Sequence, residues 1–192
     1  MGRRVAQTER MHSIELTFDT DTEAAFRAQW AALEAAGLPN LGRHQSSSNR
    51  PHITLSAGPT VSVTAALLAV FAPDRRALPI EFRVAGLVVF QAGHDRWVLA
   101  RPVVMSDRLL RLHQDVADAA PGALETTQPN GWTPHVTLAR RLRLDTLPQA
   151  LRLLDDAAEG AADAPGRADA SRSTATALRR WDAASATVTH LV

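Results

Sequence analysis

The sequence predicts an α+β fold made of two similar lobes, and three observations carry that prediction. PHITLS at Pro51–Ser56 returns as PHVTLA at Pro134–Ala139, 83 residues further on. Short runs of alternating polar and apolar residues, which suit strands, are interleaved with stretches whose apolar residues recur at helical spacing. The elements around the two copies also follow the same order, a weak internal repeat with a long period. If a pseudo-twofold axis relates the halves, the two copies face each other across a central cleft.

Taken in order, residues 1–10 (MGRRVAQTER) read as a flexible leader before one bilobal domain over 11–192. HSIELTF from His12 alternates as a strand. DTDTEAAFRAQWAALEAAGLP follows as a helix: Asp19 to Thr22 offer N-caps, Phe26, Trp30 and Leu33 share a stripe, and Gly37 with Pro39 stops it. The polar loop GRHQSSSNR leads into the first Pro-His strand. VSVTAALLAVF reads as a short helix, LPIEFRVAGLVVFQ as one or two strands, Ala92–Asp95 as a turn and RWVLARPVV as a returning strand. In the second half Ser106 caps a helix through SDRLLRLHQDVADAA, with Leu109, Leu112, Val116 and Ala120 near one face, and the loop PGALETTQPNGW delivers the second Pro-His strand. A helix through LPQALRLLDDAA, a Gly/Ala/Asp/Ser-rich loop over Gly160–Ser173, and the strands TATALRRWD and ATVTHL close the chain.

Composition removes several function classes. All 21 basic residues are arginine, so a phosphate-loop lysine, a Schiff-base lysine and the adenylated lysine of an ATP-dependent ligase are all excluded. With no cysteine there is neither a disulfide nor thiolate chemistry. A net charge of +1 predicts local phosphate contacts rather than a broad nucleic-acid surface. The sequence has no apolar run long enough to span a bilayer and no apolar signal segment near Met1, which together predict a cytoplasmic protein with no membrane partner.

The chemistry lies in the repeated motif. Strand alternation puts His52 and Thr54 on one face, and His135 and Thr137 likewise, above apolar undersides of Ile53, Leu55, Val136 and Leu138. Two imidazoles can take and give protons near neutral pH, and two hydroxyls can donate to non-bridging phosphoryl oxygens. The four groups describe a phosphodiester site that needs no metal or other cofactor. Core histidines and a zinc site are the competing readings. The repeated threonine argues against the first, and the lack of Cys, H-E-x-x-H or clustered carboxylates argues against the second.

These residues, H-I-T-L-S from His52 and H-V-T-L-A-R from His135, resemble the two-histidine (2H) phosphoesterase superfamily, and within it the 2'-5' RNA ligase (LigT-like) family. The resemblance extends from about His12 to Leu191 through the order of strands and helices. It implies two antiparallel sheets related by a pseudo-twofold, with helices outside and a central cleft. It also implies metal-independent cyclic phosphodiesterase activity on 2',3'-cyclic phosphate ends of RNA or on a small cyclic nucleotide, with ATP-independent 2'-5' ligation, the reversal of transesterification, as a further activity. By similarity His135 is the base, His52 the acid, and Thr54, Thr137 and Arg140 bind phosphate, although strict alternation puts Arg140 on the opposite face.

Ser56, on the His52 face, Trp132, just ahead of the second motif, and Arg50, in the loop before the first, are candidates to line the substrate, with packing beneath the loop the favoured role for Trp132. Arg43 in that loop is a further candidate phosphate contact, and the Arg140-Arg141-x-Arg143 run reads as a small basic rim or simply a solvated face. His44, His94, His113 and His190 lack such context and read as solvated or structural. The competing class is a non-catalytic module holding RNA ends or a nucleotide in the same cleft. A self-contained cleft without coiled-coil heptads predicts a monomer.

Overall fold

The computed structural model describes residues 11–43, 46, 48–162 and 172–192, with only the backbone described for 156–162. The leader at 1–10, His44 and residues 163–171 of the loop expected after the last helix lie outside the described residues. Around that gap the helix runs on to Ala162 and the next strand begins at Arg172.

Strand β1 (His12–Phe18) is followed by helix α1 (Thr20–Ala35), β2 (Ile53–Gly58) and helix α2 (Ala65–Val70). Then come β3 (Ile80–Val84), β4 (Val88–Gln91), β5 (Trp97–Val104) and helix α3 (Asp107–Ala119). The chain continues through β6 (His135–Leu142), helix α4 (Leu147–Ala162), β7 (Arg172–Asp182) and β8 (Thr187–His190). Three helices start on side-chain caps: Asp19 accepts from the Thr22 amide, Thr64 from Leu67 and Ser106 from Leu109. Each satisfies an amide that the first helical turn leaves unpaired. Gly37, at φ +71, supplies the left-handed turn after α1.

The fold is α+β, and all of its strand pairings are antiparallel. One lobe orders its strands β2-β1-β7, with β3 and β8 both on the far edge of β7; the other orders them β6-β5-β4. The two sheets are not separate. β2 meets β6 at Ile53 and Val136, and β3 meets β5 at Arg83–Val84, so the strands form one eight-stranded sheet. Ile53 and Val136 are both wholly buried, and excluding water from that pair favours closing the sheet.

The pseudo-twofold passes between these two residues. It exchanges His52 with His135, and the spacing of 83 residues carries through the helices: Phe26, Trp30 and Leu33 of α1 match Leu109, His113 and Val116 of α3, all six buried. Helices and strands are exchanged between halves. α1 packs against β6 and α4 as well as β1, whereas α3 packs against β2 and α2 as well as β3. One core therefore runs through both halves, and its large buried residues include Leu33, Leu55, Leu109, Leu138 and Leu154. Each such side chain contributes about 1.5–3 kcal/mol by leaving water, and truncating Leu55 or Leu138 to Ala would cost about 2–5 kcal/mol under the motif strands.

Candidate active site

The site is set by two short Pro-His sequences. Proline fixes its own φ and holds the residue before it extended, which leaves the carbonyl two residues back beside the imidazole. The Arg50 carbonyl lies 2.8 Å from Nδ1 of His52, and the Thr133 carbonyl 2.7 Å from Nδ1 of His135. A carbonyl can only accept, so Nδ1 of each ring carries the hydrogen and Nε2 is the nitrogen left to exchange a proton.

Pairing at Ile53–Val136 turns these two residues to the core, so their neighbours in sequence stand on the other face. The register of that bridge sets His52 across from Thr137 and Thr54 across from His135. Both rings and both hydroxyl groups thus gather on one face around the pseudo-twofold, as the motifs predict.

Each motif strand then carries a bulge. On β2, Glu15 opposes Thr54 while Ile14 opposes Ser56, which leaves Leu55 as the extra residue; on β6, Ala100 opposes Thr137 while Leu99 opposes Ala139, which leaves Leu138 extra. A bulge shifts the alternation by one residue. This corrects two expectations. Ser56 turns to the core, where it is 1% exposed and its hydroxyl has no partner, and so it does not line the site. Arg140 returns to the face of His135 and Thr137, exposed, and its charge acts on the His135 ring.

Other candidates are occupied elsewhere. Trp132 is 7% exposed, stacks on His113 at 3.7 Å and donates Nε1 to the Thr54 carbonyl at 2.8 Å, so it supports the strand instead of offering a face to a base. Arg50 pairs with Glu23 on α1, with Nε at 2.7 Å, and Arg43 pairs with Glu34 at 2.6 Å. In the Arg140-Arg141-x-Arg143 run, Arg143 is drawn to Asp95 at 3.3 Å. His94 and His190 are exposed and stand apart from the motif strands, on a turn and on β8.

The structure adds residues that the motifs do not announce. Glu15 on β1 is 5% exposed, accepts from the Ser13 hydroxyl at 2.6 Å and pairs with Arg179 on β7 at 2.7 Å; its Oε1 is 3.6 Å from Nε2 of His52. Burial opposes ionisation of Glu15, but the charges of His52 and Arg179 and the bonds from Ser13 and Arg179 outweigh it and hold the carboxyl below its usual range. His135 sits instead against the Phe90 ring, with centroids 4.8 Å apart. Burial pushes the His135 pKa down; the Thr133 carbonyl opposes this, and the charges of His52 and Arg140 add to the lowering. A second indole, that of Trp30, donates to the Thr137 carbonyl at 3.2 Å. Among the described residues no group of three or more His, Asp or Glu side chains is placed to hold a metal ion.

No curated protein matches the chain in sequence. Among solved structures, that of Kluyveromyces marxianus Usb1 is similar at a TM-score of 0.51 and 15% identity, over 95% of this chain and 98% of that one. The same protein with uridine monophosphate gives a TM-score of 0.50 and 12% identity over the same shares. At these identities the likeness is one of fold. The family model described as "2'-5' RNA ligase superfamily" matches residues 22–192, which include both His-x-Thr strands. The chain therefore belongs to the 2'-5' RNA ligase superfamily, one of the two-histidine phosphoesterases.

Proposed function

We propose that the protein is a metal-independent phosphodiesterase that opens 2',3'-cyclic phosphates on RNA ends or small nucleotides, with 2'-5' ligation as a second reaction in which a 5'-hydroxyl takes the place of water. The observation that carries this reading is the paired geometry of His52 and His135. Each ring is held by a carbonyl on Nδ1, with Nε2 available, and each stands on one face with Thr54 and Thr137 around the Ile53–Val136 bridge.

In this reading Nε2 of His135 takes a proton from water as its oxygen attacks phosphorus. One phosphorus–oxygen bond to the ribose breaks, and Nε2 of His52 gives its proton to the departing oxygen. One bond forms and one breaks, and exchange with solvent resets the rings. Thr54, Thr137 and Arg140 bind the non-bridging oxygens, where charge grows in the transition state. A 5'-hydroxyl replacing water gives the 2'-5' linkage with no need for ATP. The assignment of His135 as base agrees with its lowered pKa, which keeps the ring neutral and able to accept.

The nucleotide bound by the Usb1 relative is consistent with a nucleotide-sized substrate for this fold. The test is incubation of purified protein with 2',3'-cyclic nucleotides in excess chelator, with product followed by chromatography. Turnover to the nucleoside monophosphate supports the reading. Binding of RNA ending in a cyclic phosphate without turnover would favour a non-catalytic module.

A further inference from the structure

We propose that Glu15, anchored by Arg179, is the positioning residue that commits His52 to donating the proton. The proposal rests on the acid–base reading of the two histidines. It comes from comparing the lobes, which repeat the Nδ1 bond, the threonine and the indole on its carbonyl, but not the carboxylate. Glu15 stands across from Thr54, whereas the residue across from Thr137 is Ala100.

The charged and titratable groups facing His52 are Glu15 from β1, Arg179 from β7 and His135 across the site, and the first two approach opposite ends of the ring. Carboxylate Oε1 is 3.6 Å from Nε2, while guanidinium Nη2 is 3.5 Å from Nδ1. The negative charge therefore lies at the nitrogen that must hold a proton before the reaction. At 3.6 Å the contact is too long for a hydrogen bond, so Glu15 presents its negative charge to Nε2 without capturing the proton meant for the leaving oxygen. Arg179 is fixed in turn by the Ser48 carbonyl at 2.8 Å and is 3% exposed. What faces His135 differs: Phe90 from β4, Arg140 from its own strand and His52 across the site, and among the described residues no carboxylate pairs with it.

A buried ion pair does little for stability compared with apolar residues of the same volume. Its presence beside one histidine only is accounted for by the acid role. The duplicated site thereby has a direction, from His135 as acceptor to His52 as donor.

The test compares two substrates in Glu15→Gln. Opening a 2',3'-cyclic nucleotide needs a proton on the departing ribose oxygen, whereas bis(p-nitrophenyl) phosphate releases a phenolate that needs none. Glu15→Gln should lower kcat on the cyclic nucleotide by about 100-fold and on the aryl diester by less than about threefold. His52→Ala should show the same split, and His135→Ala should slow both substrates. Should Glu15→Gln fail to fold, Glu15→Gln with Arg179→Met removes the pair without leaving an orphan charge, and the same split is expected with a native circular dichroism spectrum. An equal loss on both substrates, or no loss on either, overturns the role of Glu15 even when both histidine variants are inactive on the cyclic nucleotide. Histidine variants that keep wild-type turnover, or a wild type inactive on both substrates, would overturn the two-histidine reading and the proposal together.

Discussion

Nε1 of Trp132 donates to the carbonyl oxygen of Thr54 at 2.8 Å, and Trp30 makes the matching bond to Thr137 at 3.2 Å. β2 and β6 pair only at Ile53–Val136. Past that bridge the strands part, and the two indoles satisfy carbonyls that buried backbone cannot leave unpaired. Trp132→Phe or Trp30→Phe should each cost about 1–3 kcal/mol in urea unfolding. Each should also lower kcat about tenfold, because the threonine beside the phosphate loses its support. Unchanged kcat in both variants would show that the indoles serve packing alone.

Thr54 and Thr137 are assigned to the non-bridging oxygens. Thr→Val keeps the shape and removes the donor, so each variant should lower kcat/KM by about 10–100-fold and leave unfolding within about 1 kcal/mol of wild type. Steady-state kinetics with a cyclic nucleotide, beside thermal melts, checks both parts.

The acid limb of the pH profile reports the base. Burial first, then the charges of His52 and Arg140, hold His135 below the ordinary value of 6.5, so the neutral base survives to lower pH. The limb of kcat/KM should lie below 6.5, with activity lost as pH falls through the lowered value. Arg140→Gln removes one positive charge. It should move the limb upward and raise KM, as read from profiles between about pH 4.5 and 8.

His113 links the site to stability. It is 1% exposed, stacked on Trp132, with Nε2 donating to the Thr127 carbonyl at 3.0 Å. Burial lowers its pKa, although backbone bonds oppose the shift. A histidine kept neutral in the fold binds protons more readily when unfolded. Its contribution is therefore complete above 6.5 and is lost as pH falls through the lowered folded value. His135 adds to the same loss. Stability by denaturant titration should decline from pH 7 to about pH 5, with a shallower slope in His113→Phe.

What the sequence conceals follows from how strands encode position. Alternation marked β1, both motif strands and the side of His52, Thr54, His135 and Thr137, because a half-buried strand writes its faces into every second residue. The bulges at Leu55 and Leu138 insert one residue without a sequence mark of their own, so strict alternation alone puts Ser56 and Arg140 on the wrong faces, while the motif resemblance keeps Arg140 a phosphate-binding candidate. Glu15 and Arg179 are 164 residues apart and meet only through the β1–β7 ladder, where they pair directly. Their signal is the lone carboxylate of HSIELTF, an ionisable residue in a strand that is buried from Ser13 to Phe18, Glu15 included. Trp30 was legible as core from its helical stripe, but its bond to Thr137 depends on α1 crossing to the other lobe's strand. The joining of two sheets into one rests on short pairings that no pattern announces.

The measurement that bears most directly on the central claim is hydrolysis of a 2',3'-cyclic nucleotide in excess chelator by wild type, His52→Ala and His135→Ala. The two-histidine account predicts chelator-resistant turnover in the wild type and a loss of about 100-fold or more in each variant, with melting temperatures close to wild type. Turnover that stays near the wild-type rate when either imidazole is removed would contradict it.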